Sequence, residues 1–209
     1  VADEAARTTF AKNIKTVLEK NKLDGIDLDF EWAENEKEYK DYSLAILKMR
    51  EVLGDKYLFS VSLHPVCYKI SKEAIEAVDF ISLQCYGPSP VRFPIEKYCS
   101  DIQMVLEYGI PREKLVAGVP FYGVTKDNSK KTEAYFNFVQ NGLVTSPAQN
   151  EVIYQGDTYV FDGQDNIRIK TRYAKEQKLK GMMSWDLATD LPLSDSRSLL
   201  KTMTEELRE

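Results

Sequence analysis

Apolar and polar positions recur along this chain with two different periods, and the switches between them lay out its elements. Over residues 2–22, Phe10, Ile14, Val17 and Leu18 recur at helical spacing, which predicts a leading helix. Lys22-Leu-Asp-Gly then turns into Asp24-Gly-Ile-Asp-Leu-Asp-Phe-Glu31, where Ile26, Leu28 and Phe30 alternate with Asp27, Asp29 and Glu31. A period of two means a strand, because successive side chains leave a pleated backbone on opposite faces. Residues 34–53 predict a second helix that packs through Tyr39, Tyr42, Leu44, Ile46, Leu47 and Val52 and ends at Gly54-Asp55. A strand over 57–63 stops at His64-Pro65, and Ser71 caps a short helix through Ala77. Residues 80–86 predict a strand, Gly87-Pro88-Ser89-Pro90 a loop, 95–108 a helix, and 115–120 a strand that leads into Phe121-Tyr122-Gly123. Residues 124–165 break the pattern: they are polar, interrupted by Gly and Pro, and read as an insertion with β-like pieces near 152–154 and 158–161. Helix 166–178, strand 181–185 and a closing helix over 194–207 complete the chain.

Strand followed by helix, repeated, predicts the α/β class with parallel β/α units. In such folds ligands sit at the carboxyl ends of the strands. The polar and aromatic residues of note fall there: Glu31, His64, Gln84 with Tyr86, Tyr122, and Trp185 with Asp186. Their convergence from separated segments is a stronger signal than any one of them.

The acidic strand carries the chemistry. Carboxylates two residues apart on one face start only about 7 Å from each other. Each raises the cost of ionising the next. Glu31 comes last, nearest the mouth, so a raised pKa would let it hold a proton and donate it to a leaving group. Asp29, one step below, could stabilise positive charge forming on a substrate. Two other readings stay open: an exposed acidic edge strand, and a divalent-metal site. The second is disfavoured because no His, Asn or loop glycine completes an oxygen cage of the usual kind. Trp185 can stack on a sugar ring or simply fill a core. Tyr86, on one face with Gln84, can present its hydroxyl to a substrate carbonyl or be buried and satisfied. Tyr122 is a weaker candidate, and His64 has no assigned role.

Composition narrows the partners. Thirty-three acidic residues against 28 basic ones give 209 residues a formal charge of -5, which argues against nucleic acid and anionic membranes. No apolar run approaches a membrane span, and Val1-Ala-Asp-Glu does not resemble a signal peptide. Cys67, Cys85 and Cys99 are odd in number and form no close pair, so buried free thiols are expected rather than a disulfide framework or zinc spacing. With His64 the only histidine, a His-dependent triad or a multi-histidine metal site is not expected. There is no N-x-Ser/Thr acceptor.

Asp24-Gly-x-Asp27-x-Asp29-x-Glu31 resembles the signature of glycoside hydrolase family 18, which contains chitinases and endo-β-N-acetylglucosaminidases. The resemblance continues through Gln84-Cys-Tyr86, Gly118-Val-Pro-Phe-Tyr-Gly123 and Gly181-Met-Met-Ser-Trp185-Asp186, similar to the family's sixth, seventh and eighth strands. It implies a (β/α)8 TIM barrel and a retaining, substrate-assisted glycosidase. In that pattern Glu31 is the general acid, Asp29 orients the substrate's acetamido group, and Asp27 stands behind it. Tyr86 bonds the acetamido oxygen, Trp185 floors the subsite, and Gln84, Tyr122 and Asp186 join the substrate-binding set. No metal or cofactor is implied. The implied partner is an N-acetylglucosamine polysaccharide or glycan, acted on by a secreted or cell-envelope monomer. A chitin-binding lectin on the same barrel is the alternative outside enzymes, and the acid at Glu31 favours the enzyme.

The chain departs from the family pattern in two places. The acidic strand is the family's fourth, yet one helix precedes it, so the first three β/α units of the barrel are expected to be missing. The whole chain, 1–209, then reads as a partial barrel domain with an insertion at about 124–165. Gly87 also follows Tyr86 where the family often has Asp or Asn.

Overall fold

A computed structural model describes residues 3–87, 93–127 and 130–208. Pro88 to Pro90 of the expected loop lie outside them. The chain runs α1 (Glu4–Asn21), β1 (Gly25–Asp29), α2 (Glu36–Leu53), β2 (Leu58–Leu63), α3 (Lys72–Ala77), β3 (Phe80–Leu83), α4 (Ile95–Tyr108) and β4 (Leu115–Pro120). Next come β5 (Tyr122–Thr125), β6 (Thr132–Ala134), α5 (Tyr135–Gln140), β7 (Glu151–Tyr154) and β8 (Asp157–Val160). The β/α alternation resumes with α6 (Gln164–Glu176), β9 (Gly181–Trp185) and α7 (Leu199–Arg208).

Two sheets result. The first is parallel, in the order β1-β2-β3-β4-β9, so each crossover places a strand beside its predecessor. It is open: among the described residues, β1 and β9 each pair on one side only. The second is antiparallel, in the order β6-β5-β8-β7, and occupies the polar stretch between β4 and α6.

Period-two alternation sorts the parallel strands into two faces. Phe59, Val61, Leu63, Ile81, Leu83, Leu115, Ala117 and Val119 are buried in the main apolar core. Full burial of such a side chain contributes about 1.5–3 kcal/mol. Ser60, Ser62 and Ser82 point the other way, in register with Asp27 and Asp29. A polar face of this kind marks the side of the sheet where chemistry can be placed.

Caps set the helix limits. Asp3 accepts from the Ala6 N–H to start α1, and Lys22 ends it in the left-handed conformation at φ 52°. Asn35 accepts from the Glu38 N–H while Glu38 accepts from the Glu34 N–H, so α2 begins two residues later than its apolar pattern suggests. Within α1 the stripe runs through Ala11 and Leu18, and Val17 is turned out to solvent. In α2 the buried line is Tyr42, Ala45, Ile46, Met49 and Leu53, with Leu44 and Leu47 only half-buried. The closing helix is shorter than expected, because the Asp190 carboxylate takes the N–H groups of Leu199 and Leu200 and the Ser198 hydroxyl. Lys114 donates to the carbonyls of Ile75, Glu76 and Val78, satisfying the end of the short α3.

One buried ion pair ties the second sheet's exit to α6. Lys170 Nζ lies 2.6 Å from Asp162 Oδ2, both side chains are almost fully buried, and the ammonium also sits 5.5 Å from the Tyr98 ring centroid. Burial raises the Asp162 carboxyl pKa while the Lys170 charge opposes that rise. Removing one partner strands the other charge, so Lys170→Met should lower stability by about 3–5 kcal/mol. The double variant Lys170→Met/Asp162→Leu should recover much of that loss. Urea denaturation of both variants checks the pair, and equal losses in the two would contradict it.

Candidate active site

β1 supplies the acidic face, and close backbone packing fixes where it stands. At Gly25 an added Cβ would come within 2.2 Å of the Leu58 carbonyl oxygen, so only glycine lets β1 approach β2 there. Two residues on, Asp27 is clamped by the next strand: Ser60 Oγ donates to Oδ1 at 2.6 Å and Ser62 Oγ to Oδ2 at 2.7 Å. Asp29 Oδ2 accepts from Gln84 Nε2 at 3.1 Å, which reaches across from the end of β3. The strand ends at Asp29, so Glu31 lies two residues beyond regular pairing rather than within the strand.

The loop after β2 holds the backbone immediately past Glu31. Ala33 N–H donates to Cys67 Sγ at 3.2 Å, and the Trp32 ring meets the His64 ring edge-on with centroids 3.9 Å apart. His64 and Cys67 are themselves joined by backbone hydrogen bonds in both directions. His64 is thereby buried beside the acidic residues, with Nε2 3.2 Å from Glu31 Oε1 and 3.9 Å from Asp29 Oδ1.

Asp29, Glu31, Gln84, Tyr86, Tyr122 and Trp185 line one cleft of about 300 Å³, together with Trp32, His64 and Gly87. Tyr86 is buried, its hydroxyl 3.8 Å from Met183 Sδ, and its ring meets Tyr122 edge-on. Trp185 is 58% exposed, at the end of the outer strand β9. Two expected residues stand apart. Asp27 sits below the cleft in its serine clamp. Asp186 is not among the lining residues, and its carboxylate accepts from the Thr189 N–H as a helix cap. Cys67 and Cys85 are buried free thiols and Cys99 is half-buried and free.

The electrostatics raise both cleft carboxyls. Burial and the neighbouring Asp27 charge raise Asp29, and the Gln84 hydrogen bond partly offsets them. Burial, then the Asp29 charge, raises Glu31. Burial also pushes the Tyr86 hydroxyl up, keeping it a neutral donor, and lowers His64 to about 4, so the imidazole is neutral near pH 7. The site therefore offers two carboxyls held above their ordinary range, with Glu31 outermost, a neutral phenol and an open indole face.

Trp32 and His64 are the lining residues to which the sequence alone assigns no role. The pairing of Asp29 with Ser62 carries the register that sets Glu31 opposite His64 two steps later. That register belongs to the folded sheet, and no spacing along the chain displays it.

Carboxyls and aromatic rings thus gather at the strand ends of a parallel α/β sheet. The chain belongs to the glycosyl hydrolases family 18, whose family model matches residues 1–190. It is 24% identical over 254 residues to "Probable chitinase 2" of Drosophila melanogaster, covering 91% of this chain and 52% of that protein. It thus spans about half the length of that relative. Among solved structures it is similar to the chitinase ChiB from the chitin utilization locus of Flavobacterium johnsoniae, with TM-score 0.78 and 27% identity, covering 95% of this chain and 64% of that one. It is also similar to a chitinase-like agglutinin from Robinia pseudoacacia, with TM-score 0.82 and 18% identity, covering 98% and 74%.

Close packing under the cleft gives a direct test. A Cβ at Gly118 would lie 2.8 Å from the Leu83 carbonyl oxygen and 3.1 Å from the Tyr86 ring, whereas one at Gly181 meets nothing within 4 Å. Gly118→Ala should therefore cost about 1–3 kcal/mol by overpacking, and Gly181→Ala should change stability by less than about 0.5 kcal/mol. Urea midpoints measure both, and similar losses at the two positions would contradict the packing described.

Proposed function

We propose that this chain is the greater part of a retaining glycosidase that cleaves β-1,4 bonds of N-acetylglucosamine polymers, chitin or chitooligosaccharides. The observation that carries this reading is the vertical order of the acidic residues. Asp27 is fixed below, Asp29 is held by Gln84, and Glu31 is outermost with a raised pKa, above a cleft bordered by the open Trp185 ring.

In this reading the sugar at the scissile bond lies against Trp185. Glu31 gives its proton to the glycosidic oxygen as the bond to the anomeric carbon breaks. The acetamido carbonyl oxygen of the same sugar attacks that carbon, forming an oxazolinium ion. Asp29 faces the acetamido nitrogen and stabilises its developing positive charge, and the Tyr86 hydroxyl donates to the acetamido oxygen. Water then attacks the anomeric carbon and returns a proton to Glu31, restoring the acid with retained configuration. Both raised carboxyl pKa values suit this sequence, because Glu31 must begin protonated and Asp29 gains charge stabilisation only as the cation forms.

The same reading extends to the rest of the protein. A (β/α)8 barrel needs three further β/α units to join the outer edges of β1 and β9 and wall the cleft. Export is consistent with a substrate found outside cells. Among the described residues no helix is long and apolar enough to cross a membrane.

Glu31→Gln in the full-length protein should lower the hydrolysis rate by at least about 10²-fold while oligosaccharide affinity, measured by calorimetry, stays within a few-fold. Near-normal turnover would refute the assignment. Asp29→Asn should also slow turnover strongly, and an unchanged rate would remove Asp29 from the mechanism. A lectin would bind chitooligosaccharides with no hydrolysis even before mutation. Release of chitobiose from chitin, as against a trimmed glycan from a glycoprotein, separates chitinase from endo-β-N-acetylglucosaminidase action.

A further inference from the structure

His64 takes no part in the proposed catalytic steps. It is 2% exposed, and neither Nδ1 nor Nε2 makes a hydrogen bond among the described residues. A neutral imidazole has one N–H donor and one lone pair. Leaving such groups unpaired in a buried position is unfavourable by about 1–3 kcal/mol. The ring is nonetheless held firmly, by its edge-on contact with Trp32 and by the paired backbone of His64 and Cys67. Its Nε2 is aimed at two carboxylate oxygens, 3.2 Å from Glu31 Oε1 and 3.9 Å from Asp29 Oδ1.

We propose that His64, Asp29 and Glu31 form a binding site for a divalent transition-metal ion of the zinc type, and that its occupation switches the cleft off. The three donors lie within 4.8 Å of one another. Ligands about 2.1 Å from a tetrahedral zinc ion are about 3.4 Å apart. The two observed distances from Nε2 bracket that spacing, so small rotations of the half-exposed carboxylates complete the geometry. One imidazole with two carboxylates selects zinc, cobalt or a similar ion over magnesium or calcium, which take oxygen alone. Gln84 occupies Asp29 Oδ2 and leaves Oδ1 turned toward His64, which orients that ligand.

The ion replaces an unfavourable arrangement with a favourable one. In the metal-free protein a carboxylate oxygen of Glu31 faces a ring nitrogen without a hydrogen bond between them. A cation between them bonds both lone pairs. The consequence for catalysis rests on the proposed function: a Glu31 oxygen bonded to metal carries no proton for the leaving group, so hydrolysis stops until the ion is removed.

The test separates metal binding from activity. Full-length protein freed of metal with EDTA and dialysed should bind one equivalent of Zn²⁺ by calorimetry. With Co²⁺ as the probe it should develop the visible absorption of a low-symmetry nitrogen–oxygen site. His64→Phe should weaken binding at least about tenfold, and Asp29→Asn, at a half-exposed position that does not challenge folding, should do so as well. No binding by the unaltered protein, or binding unaffected by Asp29→Asn, would overturn the site. Saturating Zn²⁺ should suppress chitooligosaccharide hydrolysis and EDTA should restore it. Zinc binding in a protein that hydrolyses nothing when metal-free would count against the glycosidase reading and leave the metal site standing. Hydrolysis without zinc binding would do the reverse.

Discussion

The clamp on Asp27 by Ser60 and Ser62 is the interaction on which the cleft depends. Among the described residues β1 pairs on one side only, with β2, so that pairing sets its register. A shift of one residue would exchange the acidic face for the apolar one. Both oxygens of a single carboxylate are taken by hydroxyls two residues apart on β2, which fits one register and no other. Because Asp29 and Glu31 follow at fixed steps, this clamp also sets their distances from Gln84 and His64. A charge that looks costly in the sequence thus works as the pin of the site.

Much of this was legible in the chain itself. Period-two alternation between Ile26 and Phe30 marks the strand and its acidic face, and β9 falls where Gly181 to Trp185 predicts it. The strand-end residues Glu31, Gln84, Tyr86, Tyr122 and Trp185 do meet in one cleft. Other features depend on neighbours that no local pattern shows. Val17 has the hydrophobicity of a core residue but faces solvent, because the α1 stripe that packs is narrow. Asp186 sits beside Trp185 in sequence, yet its carboxylate is taken by the turn after it. His64 was visible as a strand-end residue, but its nearness to Glu31 arises only when β1 and β2 pair.

The two sheets divide the work between position and access. The parallel sheet holds acids and amide in place from beneath. β5 begins the antiparallel sheet at Tyr122, directly after β4, so the added lobe contributes its first residue to the cleft. That lobe has an aromatic core of its own, with Phe138 packed among Tyr154, Tyr159 and Phe161. The buried Lys170–Asp162 pair then anchors the return of the chain to α6.

The two outer strands of the parallel sheet differ in the charge they carry. β1 carries Asp27 and Asp29 on one face. β9, Gly-Met-Met-Ser-Trp, has no charge at all and ends in an exposed indole. A strand that joins the sheet at β1 therefore meets a face lined with carboxylates, and one that joins at β9 meets an uncharged face that ends in an indole.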